Sequence, residues 1–168
     1  KRKKVEKRKN GVWLTVLVLT IAVCATVSGK SPSYQRAPEI NITQWMTDNP
    51  PDVKSLAGRV YVVDFWATWC HSCVNGIGDL NKINEKYRDR GLVFLSLCQD
   101  RSPDAIKKMI REKNINFHLA IDNGTADWYE VKYYPTVAVV NHKGRIVFQG
   151  KPWDRKFEKA IKKALDAC

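Results

Sequence analysis

The strongest constraint on this chain is an apolar run that ends in two closely spaced cysteines. Residues 60–66 are β-branched, aliphatic or aromatic apart from Asp64, a composition typical of a buried strand. Cys70 and Cys73 follow shortly after this run, where a helix would begin. The sequence therefore predicts two sulfur atoms at a strand-to-helix turn.

The spacing of the two cysteines predicts a redox-active pair. With two residues between them, the sulfurs can close as a disulfide or open to a dithiol. Cys70 is expected at the helix N-terminus, where unpaired N–H groups and the helix dipole stabilise a thiolate. We therefore predict that Cys70 is the nucleophile. Cys73, one turn further and more buried, is predicted to resolve the mixed disulfide.

Residues 63–73 read VDFWATWCHSC. This motif resembles the active-site stretch of thioredoxin-fold oxidoreductases, most closely the membrane-anchored or secreted TlpA/ResA-like branch, and the resemblance extends from about Ala37 to the C-terminus. It implies a thioredoxin-like α/β fold, with a central mixed sheet, helices on both faces and a preceding N-terminal hydrophobic helix. It also implies thiol-disulfide oxidoreductase activity on protein disulfides or dithiols, without a cofactor.

A metal site is the main alternative for such a cysteine pair, because half of a zinc site has the same spacing. The chain offers no second pair of ligands with a zinc-site spacing, so we predict a redox pair and no metal. The remaining cysteines and histidines are Cys24, Cys98, Cys168, His118 and His142.

Two further residues receive catalytic roles. Asp64 interrupts the apolar run, and a carboxyl group buried there would have a raised pKa. The resemblance implies that Asp64 helps to deprotonate Cys73, either directly or through a water; the alternative is an acid at a strand edge that faces solvent. The resemblance also implies that Pro135 adopts a cis peptide bond and faces the cysteine pair.

The residues predicted to contact substrate flank these groups. An imidazole at His71 would stabilise the Cys70 thiolate and make the couple more oxidising, whereas an exposed histidine with little influence is nearly as plausible. The serine before Cys73 leaves the redox poise open, since the strongest oxidants of the family have histidine there. The predicted substrate-binding residues are Trp69, His71, Ser72, Tyr134 and Thr136, and Trp66 also matches an aromatic position of the family.

The N-terminus predicts export of the domain. Residues 1–10 carry seven lysines and arginines against one glutamate, and residues 11–27 carry no charge. This pattern predicts a signal-anchor helix or a cleaved signal peptide, with the cysteine pair outside the cytoplasm in both cases. We favour a single-pass anchor; cleavage would make the protein secreted or periplasmic. The predicted domains are residues 1–29, a linker at 30–36 and the thioredoxin-like domain at 37–168.

The net charge of +12 does not predict nucleic-acid binding, because half of it lies in residues 1–10 and no basic face interleaved with aromatic residues is visible.

The expected partners are protein substrates and, for a reductant, a membrane electron donor. Cytochrome c maturation is one task that the resemblance suggests. A peroxide-reducing redoxin would need a Pro-x-x-x-Thr-x-x-Cys motif, which is absent, and a copper chaperone would use Cys70, Cys73 and His71.

Periodicity predicts the remaining elements. A helix is expected after Cys73, with Gly76 and Gly78 allowing close packing on the sheet, and Ser102 is expected to cap a second helix through its hydroxyl group. The other predicted elements are strands at 92–98, 117–121 and 137–140, a short helix at 125–131, a hairpin partner at 145–148 and a C-terminal helix carrying Phe157, Ile161, Ala164 and Leu165.

Overall fold

The computed structural model describes residues 35–168, which form a six-stranded sheet with helices packed against it. The strands are β1 (Ile42–Trp45), β2 (Tyr61–Trp66), β3 (Val93–Cys98), β4 (His118–Asp122), β5 (Thr136–Val140) and β6 (Ile146–Gly150). The helices are α1 (His71–Tyr87), α2 (Pro103–Lys113), α3 (Thr125–Trp128) and α4 (Arg155–Leu165), with 3-10 turns at Val53–Leu56 and Arg88–Arg90.

The sheet is mixed, as the sequence predicts. Its strand order is β1-β4-β3-β2-β5-β6. Strands β2, β3 and β4 are parallel, β1 is antiparallel to β4, β5 is antiparallel to β2, and β6 is antiparallel to β5. Strand β2 lies in the interior of the sheet, between β3 and β5. The cysteine turn follows the carboxyl end of β2, so it lies centrally among the strand ends on that side of the sheet.

Helices cover both faces of the sheet, which confirms the predicted α/β arrangement of a mixed central sheet between helices. Val62 and Trp66 on β2 pack in the core with residues of α1, α2 and α4. Val63 and Phe65 point the other way and pack with α3 and the first 3-10 turn. Side chains alternate between the two faces along a strand, so Asp64 points toward α1 together with Val62 and Trp66.

Three local features differ from the sequence-based expectations. Strand β1 was not predicted; it forms by pairing with β4 at the edge of the sheet. Helix α3 ends at Trp128 rather than Val131, and Glu130 has a φ of 52°, which a continuing helix cannot adopt. Ser102 occupies the N-cap of α2, but its hydroxyl group makes no capping hydrogen bond.

The expectation that Gly76 and Gly78 allow close packing on the sheet is wrong. A Cβ atom placed on either glycine has no neighbouring heavy atom within 4 Å. Gly78 is also exposed, whereas the residues of α1 that face the sheet include Ile77 and Leu80. Neither glycine is needed for close contact with the sheet, and the exposed Gly78 weakens α1 without a packing reason.

A Gly78→Ala substitution is expected to stabilise the domain by about 1 kcal/mol, because alanine loses less backbone entropy in a helix. The change in the free energy of unfolding would be measured by chemical denaturation, as a shift in the midpoint with an unchanged m-value. Gly91→Ala is the control: Gly91 has a φ of 91°, so the same substitution there is expected to destabilise the domain. Equal effects at both positions would contradict this explanation.

The predicted N-terminal hydrophobic helix lies outside the described residues. Within residues 35–168, no helix combines the length and apolar character needed to cross a bilayer. Gln35 and Arg36, at the end of the predicted linker, pair through their backbone with the start of β6. The Ile146 N–H donates to the Gln35 carbonyl at 2.9 Å, and Arg36 forms an isolated antiparallel β-bridge with Arg145.

Candidate active site

The two cysteines form a disulfide at the junction of β2 and α1, with their Cα atoms 5.2 Å apart. Cys70 is the N-cap of α1, and its sulfur accepts a hydrogen bond from the Cys73 N–H at 3.3 Å. Both cysteines are largely buried. This arrangement confirms the predicted strand-to-helix turn and places the Cys70 sulfur at the positive end of the helix dipole, which favours a thiolate.

The two residues between the cysteines face solvent. His71 and Ser72 are exposed in the first turn of α1. The Ser72 Oγ lies 3.5 Å from the Cys70 sulfur, so this hydroxyl group can donate to a thiolate there. Ser72 therefore contacts the predicted nucleophile directly.

Asp64 is buried in the central strand, so the alternative of a solvent-facing acid at a strand edge is wrong. Its Oδ2 accepts a hydrogen bond from the Ser96 Oγ at 2.8 Å, and its Oδ1 has no hydrogen-bond partner among the described residues. Burial raises the pKa of Asp64 to about 7, and the Ser96 hydrogen bond opposes part of this rise. The carboxyl group can therefore exchange a proton near neutral pH.

A small cavity brings the predicted groups together beneath the disulfide. It has a volume of about 10 Å³, and its lining includes Asp64, Cys73, Pro135, Trp66 and Pro152. The Trp66 Nε1 is a second buried polar atom without a partner among the described residues. The Tyr134–Pro135 peptide bond is cis. A cavity of roughly this size can hold one water molecule, so a proton path between Asp64 and Cys73 is sterically available.

The predicted substrate-binding residues occupy two different environments. The Trp69 side chain is 69% exposed, and its ring meets the Tyr134 ring edge-on with centroids 6.2 Å apart. Thr136 is buried instead, and its Oγ1 donates to the Tyr133 carbonyl at 2.7 Å. The hydroxyl group of Thr136 thus holds the loop before β5, while Trp69 and Tyr134 present aromatic surface beside the disulfide.

Sequence reasoning missed two residues that support the site. Ser96 lies opposite Asp64 in the register of β2 and β3. An isolated hydroxyl group in an otherwise apolar strand was the sequence signal that could have identified Ser96. The Asp100 Oδ2 accepts hydrogen bonds from the Thr68 N–H at 2.6 Å and from the Cys98 thiol at 3.3 Å. Asp100 follows the end of β3 by two residues, and nothing in the sequence pattern connects it to the cysteine turn.

The other described cysteines are free thiols. Cys98 is buried in the sheet, and burial raises the pKa of its thiol, which keeps it protonated. Cys168 is exposed, with its sulfur 3.8 Å from the His142 Nδ1. In residues 35–168, no group of three or more histidine, cysteine, aspartate or glutamate side chains is placed to hold a metal ion. Cys24 lies outside the described residues.

Together, the mixed sheet, the disulfide at a helix N-terminus and the cis-proline loop define a thioredoxin-fold protein with a redox-active cysteine pair. Residues 32–165 match the Redoxin family. The chain belongs to this family and, within it, to the TlpA/ResA-like thioredoxin-fold proteins.

Individual relatives agree with this assignment. The chain is 26% identical over 153 residues to the thiol-disulfide oxidoreductase ResA of Bacillus cereus, covering 83% of this chain and 87% of ResA. It is 28% identical over 134 residues to DipZ of Mycobacterium tuberculosis, covering 73% of this chain but only 19% of DipZ.

A solved structure supports the fold. The crystal structure of a thiol-disulfide isomerase from Corynebacterium glutamicum aligns with a TM-score of 0.68 at 23% identity, over 77% of this chain and 96% of that one. The relatives and the cysteine pair together identify the protein as a thiol-disulfide oxidoreductase.

Proposed function

We propose that the protein reduces disulfides in other proteins outside the cytoplasm through the Cys70–Cys73 couple. One observation carries this proposal: Cys73 shares a buried cavity with Asp64, whose pKa is raised to about 7. A reductant must deprotonate its resolving thiol after the substrate is attached, and a carboxylate beside that thiol can accept the proton.

The first step forms a mixed disulfide. In the reduced protein, the Cys70 thiolate attacks one sulfur of the substrate disulfide, which breaks that bond and releases the other substrate sulfur as a thiolate. The Cys73 nitrogen lies 3.3 Å and the Ser72 Oγ lies 3.5 Å from the Cys70 sulfur. Both donors stabilise the thiolate before attack.

The second step resolves the mixed disulfide. Asp64 takes the Cys73 proton, and the resulting thiolate attacks the Cys70 sulfur, releasing the second substrate thiolate. The protein is left with the Cys70–Cys73 disulfide, and two electrons have passed to the substrate. An external dithiol donor, proposed to be a membrane protein, must then reduce this disulfide before the next cycle.

The substrate is proposed to dock across Trp69, Tyr134 and Pro135. The exposed Trp69 ring and the loop before β5 border the disulfide, with His71 and Ser72 beside them and Thr136 holding the loop. The basic residues at 1–10 and the uncharged run at 11–27 support a membrane anchor, with the domain on the extracytoplasmic side.

An insulin-reduction assay tests the proposed activity. The full chain in mild detergent, supplied with dithiothreitol, is expected to accelerate precipitation of the insulin B chain, and a Cys70→Ala variant is expected to show only the background rate. The same preparations should be titrated with copper in parallel. Stoichiometric copper binding without insulin reduction would overturn the proposal in favour of a metal-binding role for the cysteine pair.

A further inference from the structure

Exposed aromatic rings occur in the loops that contribute residues to the site. Four large hydrophobic side chains are exposed among the described residues, and three of them lie in the loops that supply Cys70, Pro135 and Pro152: Trp69, Tyr133 and Trp153. Tyr133 precedes the cis-proline loop. Trp153 follows Pro152, which lines the cavity beneath Cys73. Large rings left in water beside a reactive group mark a surface that a partner covers.

Lys151 joins two of these rings across two separate loops. Its ammonium nitrogen lies 5.7 Å from the centre of the Tyr133 ring and 5.4 Å from the centre of the Trp153 ring. These distances fit cation–π contacts, which hold the long side chain in place. The two loops therefore present one continuous surface of two rings around a fixed positive charge.

The charge on Lys151 is not neutralised within the described part of the chain. No carboxylate there lies within salt-bridge distance of its ammonium group, whereas Lys82, Lys86 and Lys162 each have an acidic partner. The nearby Asp154 is engaged in capping α4, where its Oδ1 accepts from the Lys156 N–H at 2.8 Å. Lys151 is exposed, so its ammonium group is open to an incoming anion.

The adjoining groove does not offset this charge. It has a volume of about 300 Å³ and runs between the segment before β5 and the end of β6, and it contains one acid, Glu130, and one lysine, Lys132. These two charges balance each other in sign. Lys151 therefore meets no net opposing charge from this groove.

We propose that Tyr133, Lys151 and Trp153 form a subsite for a carboxylate-bearing residue of the protein substrate, close in sequence to the cysteine under attack. This inference rests on the proposed function and adds a preference among its substrates. The rings pack against apolar atoms of the substrate chain, and the lysine pairs with the carboxylate. Because the pair is at the surface, the expected preference is roughly two- to fivefold and falls with added salt.

The test uses synthetic peptides that contain one internal disulfide. Each peptide is made in two forms, with glutamate or glutamine at one position within four residues of a cysteine, and the position is moved along the chain. For the wild-type full chain, kcat/KM for reduction is expected to be higher for the glutamate form at one or two positions. Equal rates at every position would overturn the inference while leaving the proposed function intact.

Charge substitutions at Lys151 identify the residue responsible. Lys151→Gln is expected to bring the glutamate-to-glutamine ratio close to one, and Lys151→Glu is expected to invert it and to favour a lysine-bearing peptide. Lys143→Gln is the matched control, since Lys143 is exposed in the turn at the far end of β5. An unchanged ratio in Lys151→Glu, or an equal loss in Lys143→Gln, would overturn the assignment.

A binding measurement separates this inference from the proposed function. Tryptophan fluorescence can report affinity for the same peptides with serine in place of both cysteines, so no redox step is needed. If no peptide is reduced but the glutamate forms bind more tightly than the glutamine forms, the subsite stands and the reductase proposal falls. If no peptide is reduced and both forms bind equally, both proposals fall.

Discussion

A Cys73→Ala variant is expected to accumulate partner proteins covalently attached to Cys70 and to lose at least about three orders of magnitude in turnover. Attack by Cys70 on a substrate disulfide needs only the thiolate at the start of α1, which the substitution leaves in place. Release needs the second sulfur, which is gone. Non-reducing electrophoresis followed by mass spectrometry of the dithiothreitol-released proteins would detect and identify the trapped substrates.

Two other cysteine variants provide the controls. Cys70→Ala removes the predicted nucleophile and is expected to trap no partner. Cys168→Ala removes an exposed thiol outside the disulfide and is expected to leave turnover nearly unchanged. If Cys70→Ala traps partners as efficiently as Cys73→Ala, the assignment of nucleophile and resolving cysteine is wrong.

An Asp64→Asn variant of the oxidised protein is expected to be more stable than wild type by about 2 to 4 kcal/mol at pH 8 and not at pH 4. Burial raises the pKa of Asp64 from its usual 3.8 to about 7, so the folded protein binds this proton more tightly than the unfolded chain does. The stability of the wild type therefore falls as pH rises from about 4 to about 7 and levels off above that range. Asparagine does not ionise and avoids this loss.

Chemical denaturation across pH 4 to 8 measures this effect, and the resolution step provides a second readout. Release of a preformed Cys70 mixed disulfide is expected to slow by roughly one to two orders of magnitude in Asp64→Asn at neutral pH, because the proton acceptor for Cys73 is lost. Asp104→Asn, at the exposed start of α2, is the matched control for both measurements. Identical pH–stability curves for Asp64→Asn and wild type would show that another group titrates.

Much of the site could be predicted because its parts are local. The strand β2, the turn and the start of α1 follow one another directly, so an apolar run and two spaced cysteines were sufficient to place the sulfurs at a helix N-terminus. The burial of Asp64 also followed from its position inside an apolar strand. Its predicted role, to deprotonate Cys73, came from the resemblance to the family motif and not from the apolar pattern of the strand.

Other parts depend on contacts between distant segments. Ser96 reaches Asp64 only because β3 pairs with β2 in that register, and Asp100 reaches Thr68 because β3 ends beside the cysteine turn. The sequence gives neither the register nor the strand order. The absence of close packing at Gly76 and Gly78 likewise depends on which face of α1 meets the sheet.

The amino-acid sequence by itself determined the chemistry: which two sulfurs form the couple, which one begins the helix, and that a carboxyl group lies within the central strand. These properties depend on neighbours along the chain. Only the tertiary structure decided which further groups join that couple, because Ser96 comes from a neighbouring strand and Pro152 from a distant loop, and both reach the cavity beside Cys73 only after the sheet has assembled.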